Sequence, residues 1–147
     1  MGYLELNIKM KNIAIKENHL YNKTFKRGKS FVGRYVAVYV LKDLSAERLK
    51  KENPQKKYVN RIGLSVSKKI GGAVQRNRAK RIIRAGLDGC KNELKQGFLI
   101  VISARTAIVG RTSIDIEKEI RYSFSKLDMF KRNDSTAQKE EKKKKES

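Results

Sequence analysis

The chain has 147 residues, 36 of them Lys or Arg and 15 Asp or Glu, for a formal net charge of +21. That length suits one ordinary domain, and 39% hydrophobic residues supply a core, which excludes a disordered polycation. The longest apolar runs, Tyr35 to Leu41 and Phe98 to Ile102, fall far short of the roughly 20 residues that span a bilayer.

Residues 1–14 show no clear period and read as an extension. Asn18 is placed to cap a short helix with Leu20, Tyr21, Thr24 and Phe25 on one side and Gly28 at its end. Arg34 to Leu41 is rich in β-branched and aromatic residues and reads as one strand, with Val36, Val38 and Val40 on one face and Tyr35 and Tyr39 on the other. Residues 43–57 are polar, hold the only proline, and read as a loop with room for a helical turn at Ser45–Leu49. Arg61 to Ser67 alternates, with Ile62, Leu64 and Val66 on one face, and Gly71-Gly72 ends it.

A helix over Ala73 to Leu87 follows. Ala79, Ile82, Ile83 and Gly86 share an inward arc, while Arg76, Asn77, Lys80, Arg81 and Arg84 lie roughly opposite as a basic stripe. Gly86 and Gly89 are expected to weaken the end of this helix. Phe98 to Ile102 is continuously apolar, as in a strand buried on both faces. Thr112 or Ser113 caps a last helix with Ile116, Ile120, Phe124 and Leu127 on its core side. Residues 132–147 carry no large apolar side chain and are expected to be a disordered Lys/Glu-rich tail. The domain proper is thus 15–131, a small α/β sandwich.

Charge is segregated along the chain. No acid occurs from Asn53 to Leu87, 35 residues with ten Lys and Arg, nor from Asn18 to Lys42. One-signed surface of this extent is the footprint of phosphate binding. The chemistry of a self-contained catalyst is missing. A single His19 removes most acid–base and nucleophilic schemes. One Cys90 and one His cannot build a structural zinc site or an internal disulfide, and Cys90 reads as a buried, inert thiol. Ser65 and Lys68 fit S-x-x-K spacing, but the companion motifs of the acyl-transfer enzymes are absent. The opening residues lack the pattern of a signal peptide, and a reducing cytoplasm fits the cysteine usage.

The run Arg61-Ile62-Gly63-Leu64-Ser65-Val66-Ser67-Lys68-Lys69-Ile70-Gly71-Gly72-Ala73-Val74-Gln75-Arg76-Asn77-Arg78-Ala79-Lys80-Arg81 closely resembles the signature of the bacterial ribonuclease P protein subunit family. Upstream, Tyr21, Phe25, Gly28, Arg34 and Tyr39 fall at that family's spacing for its aromatic helix, glycine and aromatic strand. The resemblance implies an α+β fold, αβββαβα around a four-stranded sheet with a left-handed βαβ crossover. It implies a cytoplasmic protein that joins a catalytic RNA and helps remove the 5′ leader of precursor tRNA. The catalysis, and the Mg2+ it needs, would be held by the RNA and the substrate. Carried over by position, Tyr21, Phe25, Arg34, Tyr39, Ser65, Ser67 and Lys68 would line a cleft for the single-stranded leader. Lys69, Arg76, Asn77, Arg78, Lys80, Arg81 and Arg84 would meet the catalytic RNA.

Residue chemistry agrees with both roles. Aromatic faces stack on unpaired bases without demanding a sequence, and arginine engages phosphate through a planar fork. Asn77 can bond a base edge or cap a local turn. The expected partners are ribonuclease P RNA and precursor tRNA, with no membrane and no obligatory protein partner. Segment 43–59 is longer than the family's usual hairpin. A ribosome-associated RNA binder would explain the charge but not the cleft aromatics. A DNA reader using the 73–87 helix is disfavoured because a strand, not a helix, precedes it.

Overall fold

The computed structural model describes residues 13–15, 17–52 and 60–131. Its elements run β1 (Ile13–Ala14), α1 (Asn18–Arg27), β2 (Lys29–Val32), β3 (Val36–Lys42), α2 (Leu44–Glu52), β4 (Arg61–Ser65), α3 (Ala73–Asp88), β5 (Phe98–Ala104) and α4 (Ser113–Lys126). They build an α+β sandwich on a mixed sheet of order β1-β4-β5-β3-β2, four strands plus the two-residue β1. β5 is its axis, antiparallel to β3 along its whole length and parallel to β4 from Leu99 to Ser103.

The alternation of apolar side chains decides what each sheet face carries. Val36, Val38, Val40, Ile100 and Ile102 turn toward α3 and α4, where Ile83, Ile116, Ile120 and Phe124 complete the main core. Leu99 and Val101 turn the other way and meet Leu20 of α1 and Ile15. β5 is therefore apolar at every position from Leu99 to Ile102 because both its faces are covered. Gly86 lies inside α3 and is buried where α4 crosses it. A Cβ there would lie 2.9 Å from the backbone nitrogen of Glu117, so the glycine permits the close approach of two helices.

Three polar devices set the ends of the elements. Thr112 and Asp115 form a reciprocal capping box at the start of α4. Asn60 is fully buried: its Nδ2 donates to the Lys95 carbonyl and its Oδ1 accepts from the Phe98 N–H, joining the starts of β4 and β5. Glu119 of α4 accepts the backbone N–H groups of Arg34, Tyr35 and Val36 at 2.6, 2.7 and 2.8 Å, closing the β2–β3 turn. A carboxylate taking three N–H groups in a row supplies acceptors to a turn whose donors have no ladder partner.

The structure corrects several sequence readings. The strand expected over Arg34 to Leu41 is β3, which begins two residues later, at Val36; before it, the structure adds β2, an antiparallel hairpin partner joined through a turn at 33–35. Tyr35 lies in that turn and packs against the main core, beneath the Arg111 guanidinium, instead of sharing the face of Tyr39. Asn18 is the first residue of α1 and caps nothing; Glu17 holds the N-cap position without a side-chain bond. Residues 44–52 form α2 where a loop was expected. Its Leu-Ser-Ala-Glu-Arg-Leu-Lys-Lys-Glu run is made mostly of good helix formers, a local preference that outweighed its polarity. The sheet also reaches back to Ile13–Ala14, which pair with Arg61 and Ile62. The remainder of the 1–14 extension, segment 53–59 and the tail 132–147 lie outside the described residues.

Candidate nucleic-acid interface

The α1 side of the sheet gathers the aromatic residues. Tyr21 lies over Gly63 of β4, so close that a Cβ on that glycine would stand 2.5 Å from the ring's Cζ. Phe25, one helical turn on, meets Tyr39 edge to face, with ring centroids 4.8 Å apart and planes at 85°. Phe25 is 37% exposed and Tyr39 half-buried, so the pair leaves aromatic surface open to solvent. Beside it, the register aligns Ala37, Ser103 and Ser65 in one row across β3, β5 and β4. Ser65 thus shares the sheet face of Tyr39. Arg34 in the β2–β3 turn, and Ser67 and Lys68 after β4, are exposed at the same end of the sheet.

The α3 residues divide into two groups. Lys80 and Arg84 line a groove of about 530 Å³ at the outer edge of β4, with Tyr21, Ile62, Gly63, Leu64, Leu87, Asp88 and Lys91. Arg76 heads the same i, i+4, i+8 row. It is half-buried, and its Nε is buried without a hydrogen-bond partner among the described residues. Arg76 and Lys80 therefore flank the core, whereas a fully outward stripe was expected. Asn77, Arg78 and Arg81 are exposed, as is Lys69 in the turn after β4. Gly71, at φ 143°, takes a conformation that favours glycine and turns the chain from that segment into α3.

The groove is where the two sets meet, Tyr21 from the aromatic face and Lys80 and Arg84 from the cationic helix. β1 pairs only with Arg61 and Ile62, so among the described residues no strand covers the outer edge of Gly63–Ser65. The one acid in the groove, Asp88, is paired with Lys91 at 2.9 Å. Sequence reasoning missed Lys91 here. It also missed Arg105, which follows β5 directly and donates to the Gly33 carbonyl beside Arg34. The available signal was its place as the first charge after a long apolar strand. Cys90 is 1% exposed, and burial pushes its thiol up to about 11, which suits an inert role. His19 is exposed. No group of three or more His, Cys, Asp or Glu among the described residues is arranged to hold a metal ion. None of the described helices is long and apolar enough to cross a membrane.

An open aromatic face beside a cationic helix, on a mixed sheet with a buried axis, defines a small basic α+β protein whose surface has the features expected for nucleic-acid binding. The sequence model of the Ribonuclease P family matches residues 10–128. The ribonuclease P protein component of Clostridium acetobutylicum is 39% identical over 117 residues, covering 80% of this chain and 90% of that protein. That of Bacillus velezensis is 36% identical over 126 residues, covering 85% and 97%. Among solved structures, the RNase P protein of Staphylococcus aureus superposes with a TM-score of 0.66 at 27% identity, covering 82% of this chain and all of that one. The Thermotoga maritima RNase P protein gives a TM-score of 0.51 at 25% identity, covering 80% and 94%. The chain belongs to the ribonuclease P protein family.

Proposed function

We propose that this chain binds the catalytic RNA of ribonuclease P and the 5′ leader of precursor tRNA, and so promotes endonucleolytic removal of the leader to give the mature tRNA 5′ end. The observation that carries this reading is the junction at the β4 edge, where Tyr21 of the aromatic face and Lys80 and Arg84 of the cationic helix line one groove. On this reading Tyr21, Phe25 and Tyr39 receive unpaired leader bases, while Arg34, Ser65, Ser67 and Lys68 meet the leader's sugar–phosphate. Each stacked base contributes about 1–3 kcal/mol with little regard to sequence, as a protein serving many precursors requires. Lys69, Arg76, Asn77, Arg78, Lys80, Arg81 and Arg84 meet the catalytic RNA. The orphaned Nε of Arg76 supports this, since a buried donor costs about 1–3 kcal/mol until an acceptor such as a phosphate oxygen reaches it. The RNA and substrate hold the Mg2+ and carry the chemistry; the protein neutralises charge between two polyanions and orients the leader. The setting is the cytoplasm.

The test is cleavage of precursor tRNA at low magnesium by a bacterial ribonuclease P RNA, alone and with this protein added. Strong rescue yielding a mature 5′ end is expected. A preparation that binds the RNA yet gives no rescue would refute the assignment.

A further inference from the structure

α4 carries a face that the reading above leaves unused. Ile114, Lys118, Tyr122 and Lys126 recur every four residues and are all exposed, Ile114 at 66% and Tyr122 at 55%. At 1.5 Å per residue, the lysines flank the tyrosine by roughly 6 Å along the axis on either side. The Lys126 ammonium stands 5.4 Å from the Tyr122 ring centroid. Phe31 of the sheet's edge strand β2 supports the same ring, with centroids 5.4 Å apart and planes at 71°. That contact fixes the ring's attitude while leaving much of it in solvent.

α4 carries three acids and three bases, and the acids have partners of their own. Asp115 closes the capping box with Thr112. Glu117 reaches Arg121 at 3.7 Å. Glu119 holds the β2–β3 turn. Asp128, just beyond the helix, takes Lys95 at 3.3 Å. The outward stripe therefore presents two cations around one aromatic ring. It lies on the far side of the sheet from α1, because Phe31 pairs with Val38 on the face that α3 and α4 cover.

We propose that the Lys118–Tyr122–Lys126 stripe is a second docking site for single-stranded RNA, occupied by an unpaired segment of the large RNA partner. The identity of that partner rests on the function proposed above; the stripe itself does not. One base stacks on Tyr122, and the phosphates before and after it meet Lys118 and Lys126, the latter swinging off the ring. The leader, held on the opposite sheet face, is not the occupant. A second copy of a chain with net charge +21 is a poor match for two exposed lysines, of which Lys118 is near only Asp115, itself held in the capping box with Thr112. A duplex offers stacking faces only at its ends, so the segment is unpaired.

The experiment is crosslinking of the full-length protein to ribonuclease P RNA carrying 4-thiouridine, with peptide mapping, and in parallel to a 4-thiouridine leader oligonucleotide. A crosslink to the Tyr122 peptide with the large RNA and none with the leader is expected. Tyr122→Ala should weaken binding of the large RNA about fivefold to tenfold, while Tyr122→Phe, which keeps the ring, binds as the parent does. Lys118→Gln with Lys126→Gln, far from the core, should lower the salt slope by about 0.7 per lysine. A Tyr122 crosslink to the leader, no α4 crosslink to either RNA, or a dimer in sedimentation that Tyr122→Ala dissolves would each overturn the proposal. If the parent protein binds no ribonuclease P RNA at all, the functional reading falls first, and the choice of occupant with it.

Discussion

A methyl group on Gly63 separates what Tyr21 does for the fold from what it does for binding. A Cβ at that position falls 2.5 Å from the Cζ and Oη of Tyr21 and 2.6 Å from its Cε1. Favourable carbon contacts lie at about 3.5–4.0 Å, so in Gly63→Ala the ring must retreat by about 1 Å or more. The ring is the far end of a rotatable, half-buried side chain, and its hydroxyl makes only a long 3.5 Å bond to the Ile15 carbonyl. Overpacking a rigid core costs about 1–3 kcal/mol; with a movable obstacle, and glycine's extra chain entropy removed, the cost to stability should stay below about 1 kcal/mol. Binding should suffer more. If Tyr21 stacks on a leader base, its displacement forfeits about 1 kcal/mol of the stacking energy, roughly a fivefold loss. The assay is fluorescence anisotropy of the RNA-assembled protein with precursor and with mature tRNA, beside thermal unfolding of the free protein. Precursor affinity should fall about fivefold while mature tRNA affinity and Tm stay near the parent values. In a Gly63→Ala/Tyr21→Ala double variant the glycine change should add nothing to the tyrosine change. Unchanged precursor affinity, or equal loss for both tRNAs, would refute the placement of the leader over Tyr21.

Tyr39→Ala removes the partner of Phe25 and should weaken precursor binding while sparing mature tRNA, read in the same titrations. Arg78→Ala with Arg81→Ala should impair assembly with the catalytic RNA and lower its salt slope by about one per lost contact; an unchanged slope would show that neither touches phosphate. Gly86→Ala drives a Cβ to 2.9 Å from the Glu117 backbone nitrogen, which cannot rotate away. Even after the roughly 1 kcal/mol gain in helix propensity, it should destabilise by about 1–2 kcal/mol; a raised Tm would contradict so close a helix crossing. The Cys90 thiol is raised from 9.0 to about 11 by burial, so the fold holds the proton more tightly than the unfolded chain. Its contribution is full below about pH 9 and is lost as pH rises through about 11, so the parent should lose stability relative to Cys90→Ala across that window. A constant difference would mean that the thiol is not buried.

The elements with strong periodicity were legible because a single sheet or helix face imposed it. β5 read as buried on both sides, and it is the axis of the sheet; α3 read as half core and half cation, and Ala79, Ile83 and Gly86 are its inner face. What misled the reading was long-range. The β2–β3 turn carries no strong local turn signal, because Glu119, more than 80 residues away, supplies the acceptor its N–H groups need. With the turn unseen, Tyr35 was assigned the wrong face. Of the candidate interface, the basic row could be listed from helical spacing and the aromatic trio from the family resemblance. Their meeting across the β4 edge could not, since it depends on where α1 lands on the sheet and on Gly63 admitting the Tyr21 ring.

The central place of β5 also governs when the molecule can come into being. β3 and β4 do not pair with each other; each is completed only by β5, which begins at Phe98. A chain emerging from the ribosome can close the β2–β3 hairpin early, but its turn waits for Glu119 and its sheet waits for β5. Until then β4 and the cationic α3 have no sheet to pack on, and unpaired strand edges stay exposed to other chains. Such long-range pairing slows folding through loop-closure entropy. Truncation just before Phe98 would remove not one strand but the whole assembled sheet.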